Sequence, residues 1–364
     1  MSIIKKFLII LIFVVAFIIL YKLYTQRMQL KKSLIEGLDD VSPEQNTEFK
    51  SVEQTNFPSI GSFNPNVQDL ELKQYVIKAS CNSARTGNYV NLDMVQNVIV
   101  SGCRFLDFEV FSSNENGSES TPVVGFSSDD FNGAIESKNT LPLGEVLNRV
   151  NNFAFQAPTP NINDPMFIHI RIKNSEKKDK NNNNIGIDKT IYNKVTKILD
   201  ANLSVHRYNG KVTGRTKISS IMGKYVIIID RGLVDTKDEE ILKNINTYNM
   251  QSNSQTLRSY RNSVILKEKY MSPSVKDDNI HTDVPMYKMV LPNAGANFYG
   301  FMENPNIHNL IKNYGIQIVC CNFYVQDGNM SLYENLFGNF KSAIVPLAQA
   351  LHYINKKINN EEDN

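Results

Sequence analysis

Two neighbouring stretches decide the fold: Tyr75–Asn88, YVIKASCNSARTGN, and Ser101–Phe111, SGCRFLDFEVF. Each contains an apolar run of strand length, Tyr75–Ala79 and Cys103–Val110, and Leu92–Ser101 between them reads as an amphipathic helix. Strands buried on both faces carry near-continuous apolar runs, so a strand, a helix and a second such strand predict a parallel sheet covered by helices. Two acidic residues, Asp107 and Glu109, interrupt the second run with one apolar residue between them.

The same alternation continues outward. Further strands are expected at Pro122–Val124, Met166–Ile172, Tyr225–Ile229, Met286–Leu291 and Ile316–Phe323. Further helices are expected at Leu143–Phe155, Lys189–Leu203, Glu239–Tyr248, Ile307–Tyr314 and Ile344–Ile358. So many β then α units predict a closed β/α barrel in preference to an open doubly wound sheet. Neither GxGxxG nor GxxxxGK[ST] stands at a strand-to-helix turn, so a nucleotide-binding fold lacks its signature. Lys177–Ile185 and Asp277–Thr282 read as loops, and the closing INNEEDN as a solvated tail.

With 364 residues, of which 41% are hydrophobic, the chain has ample material for a core, which excludes wholesale disorder. Lys+Arg 39 against Asp+Glu 37 leaves a formal charge of +2, so no global positive field points to nucleic acid as a partner. The four cysteines, Cys81, Cys103, Cys320 and Cys321, show neither CxxC nor CxxH spacing, which argues against a zinc site or a disulfide framework and for a reducing compartment. Cys320 and Cys321 are expected as small core hydrophobes. Only five histidines are present, and asparagine is heavily used, as in Asn181–Asn184.

The N-terminus is different in kind. Phe7–Leu20 is unbroken apolar sequence flanked by Lys5, Lys6 and Lys22, and with its aromatic and aliphatic neighbours it reaches the roughly 17 to 20 residues that a bilayer requires. An uncleaved anchor is expected over residues 1–24, in preference to a signal peptide, because no small-x-small site follows. Lys22, Arg27, Lys31 and Lys32 outnumber Lys5 and Lys6, which puts the downstream side in the cytoplasm, or within a virion if the membrane is viral. An anchor with Asn-rich composition fits the membrane of a large DNA virus or of an AT-rich protist. Residues 25–69 are polar and Pro-containing and read as a tether, 70–351 as the barrel and 352–364 as the tail.

In order and spacing these motifs resemble the catalytic barrel of phosphatidylinositol-specific phospholipase C. That family's first motif is a strand ending in Ser-Ser-His-Asn-Thr and then Thr-Gly; Ser80, Cys81, Asn82, Ser83 and Thr86-Gly87 fall into it without a gap. Its second motif is Gly-Cys-Arg followed by acidic, apolar, acidic, matched by Gly102, Cys103, Arg104, Asp107 and Glu109. Pro122-Val123-Val124, GEVLNRVNNFAF, PMFIHIRIKN, Met222-Gly223-Lys224, Asn304-Pro305 and YGIQIVCCNFYVQDG are similar to later elements in the same order. The resemblance implies a TIM-type (β/α)8 barrel with a first half at about residues 70–230 and a second at about 286–340.

It also implies a reaction, attack of the inositol 2-hydroxyl on phosphorus with departure of diacylglycerol. Such a reaction needs a base, an acid and positive charge on the phosphoryl oxygens. The family supplies the proton chemistry with two histidines, while carboxylates hold calcium or, in metal-independent relatives, an arginine. Here the first histidine falls on Cys81 and the second at Phe126 or Ser128, so both imidazoles are missing. The family positions carried over as catalytic are Cys81, Asn82, Asp107, Glu109 and Arg171. A rewired mechanism would need a lowered thiol pKa at Cys81 and an acid at Asp129 or Asp130. Asn82, Asp107 and Glu109 remain as a degenerate Ca2+ site, but the fourth ligand has become Arg171, and an internal ion pair is preferred to a bound cation. The family's Ser-Arg-x-Tyr-Pro motif has become Lys288-Met289-Val290-Leu291-Pro292, so the headgroup stacking residues are gone, and Lys224, Arg231 and Lys288 are the candidate substrate cations. His169 is expected as a packed or outward-facing residue on the opposite side of its strand from Arg171. The expected partners are a phosphoinositide headgroup in a membrane, or a protein docked on an inactive barrel; the alternative is an active phosphoric diester hydrolase.

Overall fold

The computed structural model describes residues 43–53, 58–66, 69–113, 121–127, 134–173, 176–178, 184–187, 190–230, 239–254, 256–267, 287–293 and 303–362. The apolar run at Phe7–Leu20, the positions Ser128, Asp129, Asp130 and Arg231, and the loop Asp277–Thr282 lie outside the described residues. Among the described residues no helix is long and apolar enough to cross a membrane. Contacts divide the chain into Met1–Glu48 and Phe49–Asn364. Every strand described belongs to the second unit.

Thirteen strands are present in the described residues: β1 (Tyr75–Ser80), β2 (Phe105–Ser113), β3 (Thr121–Gly125), β4 (Leu141–Pro142), β5 (Met166–Lys173), β6 (Glu176–Lys178), β7 (Asn184–Ile187), β8 (Tyr225–Asp230), β9 (Met250–Ser252), β10 (Leu257–Arg261), β11 (Tyr287–Leu291), β12 (Ile318–Cys321) and β13 (Ile344–Pro346). Eight of them close a barrel in the order β1-β2-β5-β8-β9-β10-β11-β12, with β12 returning to β1 and every pairing parallel. The closed barrel predicted from sequence is thus the one that forms. A (β/α)8 barrel puts all strand starts at one end, the floor, and all strand ends at the other, the mouth.

The helices are α1 (Pro43–Glu53), α2 (Leu92–Val100), α3 (Leu143–Phe153), α4 (Thr190–Leu203), α5 (Glu239–Ile245), α6 (Asn262–Lys267), α7 (Ile307–Tyr314), α8 (Gly328–Phe340) and α9 (Leu347–Glu362). Local chemistry sets their ends. Asn91 caps α2 by accepting from the Asp93 N–H at 2.7 Å, and the buried stripe Met94, Val95, Val98, Ile99 then faces the sheet. Asn306 caps α7 in the same way, and Gly315 ends it in the left-handed conformation at φ 60°.

Strand periodicity sorts the core into two. Tyr75, Ile77 and Ala79 of β1, Phe105 of β2, Phe167 of β5 and Met289 of β11 fill the lumen. Their neighbours Val76, Leu106, Ile168 and Val290 pack outward under the helices. Cys320 lies in the first cluster and Cys321 in the second, both buried, as a pair of small hydrophobes on one strand requires.

Several elements differ from the sequence expectation. Ile344–Pro346 is a strand, not the start of a helix: two β-branched residues ahead of a proline disfavour the α region, and α9 begins only at Leu347. This strand pairs antiparallel with the first half of β1, while β2 pairs with the second half. Short β9 and β10, with no helix between them, and α6 and α8 were not expected. Lys177–Ile185, read as a loop, carries the antiparallel pair β6–β7.

The floor is sealed from the N-terminal side. Gly61 donates to the Lys341 carbonyl at 2.8 Å, the Phe63 N–H donates to Asp164 Oδ1 at 2.7 Å, and the Phe63 ring meets Tyr75 edge-on at 5.4 Å. Ile60 packs on Gly102, whose φ of +88° and lack of a side chain are both needed: a Cβ there would lie 2.8 Å from that of Ile60. These residues fall within the stretch read as a tether.

Candidate active site

The site follows from the two-residue period of adjacent parallel strands. Phe105 and Phe167 point into the lumen, so Asp107 and Glu109 on β2, and His169, Arg171 and Lys173 on β5, point there too. Register sets Asp107 beside His169 and Glu109 beside Arg171. His169 therefore faces the same side as Arg171, which corrects the sequence expectation; residues two apart on a strand share a face.

Arg171 is the hub. Its Nε donates to Asp107 Oδ1 at 2.8 Å and its Nη2 to Asp107 Oδ2 at 2.7 Å, a two-pronged contact. Its Nη1 donates to Glu109 Oε1 at 2.6 Å, and Nη2 also reaches Asn82 Oδ1 at 3.2 Å. All four side chains lie at or near the end of the barrel where β1, β2 and β5 finish. Burial alone would raise the Asp107 carboxyl, but Arg171 and His169 outweigh it and hold it well below the usual carboxylate range. Burial would likewise lower Arg171, and the two carboxylates reverse that, so it stays charged. Lys173 is 4.0 Å from Glu109 Oε1, and burial lowers its pKa with Glu109 partly opposing.

Beneath the hub a line of hydrogen bonds crosses the lumen. His169 Nδ1 is 2.8 Å from Asp107 Oδ1, and His169 Nε2 is 2.8 Å from Ser252 Oγ on β9. Carboxylate, imidazole and hydroxyl in this order have the connectivity of a hydrolase triad. All three side chains, however, are fully buried and the carboxylate is neutralised by Arg171, so the line serves as a cross-brace of the barrel. The β1 turn is fixed to the same carboxylate. Asn82, at φ 43° in the left-handed region that asparagine tolerates, donates its N–H to Asp107 Oδ2 at 3.0 Å. Ser83 exchanges bonds with the Asp107 backbone, N–H to carbonyl at 2.8 Å and amide to Oγ at 3.0 Å.

The two positions that the resemblance assigns to imidazoles hold other chemistry. Cys81 is 4% exposed, with Sγ 3.5 Å from Asp107 Oδ2; burial, reinforced by that carboxylate, pushes its thiol up to about 12. The lowered thiol pKa that a rewired base requires is thus the reverse of what this environment produces. Phe126 is buried beside Ser127, whose N–H donates to Glu109 Oε2 at 2.8 Å. Over its ring, at 3.7 Å from the centroid, lies the Arg85 guanidinium, which also meets the Tyr324 ring at 4.8 Å.

No family model matches the sequence, and no curated protein matches it. Among solved structures the barrel is similar to PLC21 from L. pealei, at a TM-score of 0.50 and 14% identity over 76% of this chain and 37% of that chain. The fold is that of phosphoinositide phospholipase C. PLC21 from S. officinalis matches at a TM-score of 0.49 and 14% identity over 78% of this chain and 38% of that one. The phosphatidylinositol-specific phospholipase C of S. aureus matches at 0.46 and 15% over 78% of this chain and 98% of that one. The present chain therefore spans little more than a third of the PLC21 chains.

Within the barrel the expected positions divide sharply. Cys81, Asn82, Asp107, Glu109 and Arg171 come together at the mouth. Lys224 does not: it precedes β8, is exposed, and its carbonyl accepts from Met166 N at 2.9 Å, at the strand-start end of the barrel. Lys288 is also misplaced. It alternates with the lumen residues Tyr287, Met289 and Leu291, so it points outward, and its Nζ donates to the Tyr314 carbonyl at 3.4 Å at the end of α7. As candidate substrate cations both are corrected by the strand period and by chain direction; Arg231 lies outside the described residues. Met289 and Leu291, where the phospholipase C family has its headgroup Arg and Tyr, do face the lumen. The residues that sequence reasoning missed are His169, Lys173, Ser252, Arg85, Tyr324 and Arg261, the last ending β10 with Nη1 donating to the Pro292 carbonyl at 2.7 Å. For His169 and Lys173 the signal was present, at i−2 and i+2 of Arg171.

Proposed function

We propose that this chain is a membrane-tethered phospholipase C-like barrel that holds a phosphorylated lipid headgroup at its mouth without cleaving it. The observation that carries the reading is the pair of replaced proton carriers: a buried thiol with its pKa pushed up to about 12 at position 81, and Phe126 or Ser128 at the second position. Phosphodiester cleavage in water near neutral pH requires a group to take a proton and one to give it. Cys81 in this environment does not, and neither a phenyl ring at Phe126 nor a hydroxyl at Ser128 is an acid near neutral pH.

Calcium has no part in the reading. The oxygens of Asn82, Asp107 and Glu109 that a divalent ion would need accept hydrogen bonds from Arg171, and a guanidinium among them repels a second cation. The apolar run at Phe7–Leu20 supplies the tether to the bilayer, which raises the effective concentration of the barrel near its lipid or near a docked protein.

A second reading, an active phosphoric diester hydrolase with a rewired site, draws on His169, an imidazole joined to Asp107. One assay separates the two. The full chain is mixed with phosphatidylinositol vesicles, with calcium and with chelator, and released inositol phosphates are measured. Binding without release is expected, with release appearing on Cys81→His combined with Phe126→His. Turnover by the unmodified chain that Cys81→Ala abolishes would overturn the non-cleaving reading.

A further inference from the structure

The two aromatic rings around Arg85 do more than bury a side chain. Arg85 sits in the turn that follows β1, Phe126 follows β3 and Tyr324 follows β12, so all three reach the mouth from neighbouring parts of the rim. The guanidinium carbon is 3.7 Å from the centroid of Phe126 and 4.8 Å from that of Tyr324, which fixes the plane of the group between two π-faces. Nε is used locally, donating to the Gly87 carbonyl at 2.7 Å. That leaves the two terminal nitrogens, the edge that binds an oxyanion by two parallel N–H bonds.

The other buried cations of the hub are neutralised: Arg171 by Asp107 and Glu109, and Lys173 by Glu109 at 4.0 Å. Among the described residues no carboxylate pairs with Arg85. Beside it the Tyr324 hydroxyl is buried and has no hydrogen-bond partner there, although a buried phenol ordinarily finds one. Burial pushes that phenol up to about 12, so it remains a donor at any physiological pH. A half-buried cation with no counter-ion among the described residues, next to a donor unsatisfied there, is an arrangement that an anion completes.

We propose that Arg85 and Tyr324 form an oxyanion subsite for a phosphate ester at the rim, with Phe126 and Tyr324 holding the guanidinium flat for it. The subsite stands in for the cationic and aromatic pair absent at Met289 and Leu291. The inference rests on the headgroup-binding reading for its source of phosphate, but the subsite itself recognises phosphate wherever it comes from.

The test uses the full chain and three probes: inorganic phosphate, phosphatidylcholine vesicles containing phosphatidylinositol, and phosphatidylcholine vesicles in which phosphatidylglycerol matches the charge. Binding of phosphate is followed by calorimetry and by the shift in melting temperature. Arg85→Leu is expected to weaken phosphate binding about tenfold or more, Tyr324→Phe several-fold, and Arg85→Lys to fall between them, since it keeps the charge but loses the fork. Arg85→Lys and Tyr324→Phe preserve bulk, so they remain informative if Arg85→Leu fails to fold. Phosphate bound equally by the unmodified chain and all three variants, or not bound by the unmodified chain, overturns the subsite. Binding of phosphate that depends on Arg85, without preference for phosphatidylinositol vesicles, upholds the subsite and overturns the lipid reading. Vesicle binding that ignores all three substitutions upholds the lipid reading and overturns the subsite.

Discussion

Arg171 holds Asp107 through two nitrogens, Nε to Oδ1 at 2.8 Å and Nη2 to Oδ2 at 2.7 Å, inside the lumen of a closed barrel. Removing one member of such a pair leaves an uncompensated buried charge, which costs about 3–5 kcal/mol. Arg171→Met is expected to lower the urea midpoint accordingly, while Asp107→Asn combined with Arg171→Met recovers a large share of the loss. A double-mutant cycle on chemical denaturation checks this; additive effects of the two substitutions would show the pair to be uncoupled.

The same pair sets an acid limit. The folded Asp107 carboxyl is held well below its unfolded value, so the stability it contributes is complete above about pH 4 and is lost as pH falls through the folded pKa. The difference in stability between the unmodified chain and Asp107→Asn is therefore expected to hold from pH 6 down to about pH 4 and to shrink from there toward pH 2. A difference that stays constant over that range would contradict the depressed pKa.

With its thiol pushed up to about 12, Cys81 carries on the order of one thiolate in ten thousand at pH 8, against roughly a quarter for an unperturbed cysteine. Cys103, Cys320 and Cys321 are buried as well. Iodoacetamide at pH 8 is expected to leave all four unmodified in the native chain and to label all four in urea, as read by intact mass. Rapid native labelling of Cys81 would point to an activated thiol and revive the rewired mechanism.

The Ser252 hydroxyl on β9 and the His169 ring on β5 meet inside the lumen across the intervening β8, Oγ to Nε2 at 2.8 Å. Ser252→Ala strands a buried imidazole nitrogen and is expected to cost about 1–3 kcal/mol. Paired with His169→Leu, it should cost less than the sum of the two single changes. Labelling of Ser252 by a fluorophosphonate would instead mark it as a nucleophile, and mass spectrometry of the treated chain distinguishes the two roles.

The barrel and the hub were legible because they rest on strong local signals. The apolar runs of β1, β2, β5, β8 and β12 are long enough to be read as buried strands, and Asp107, Glu109 and Arg171 stand within them at spacings that survive folding. Strands β9 and β10 were not legible: MQS and LRSYR are short, polar and joined without a helix, so they are strands only because β8 and β11 flank them. Ser252 and Arg261 were missed with them. Lys224 and Lys288 failed for a different reason. A cation near a motif says nothing about which end or which face of a barrel it will occupy, and both proved to lie away from the mouth. Arg85 was hidden because its environment is assembled from three separate loops.

Ile60, Gly61 and Phe63 fasten the entering chain to the floor, on Gly102, Lys341 and Asp164. These three residues thus sit at the pole opposite the mouth. Changes at Ile60, Gly61 or Phe63 therefore act on the closed pole and reach Asp107 and Arg171 through the length of the strands.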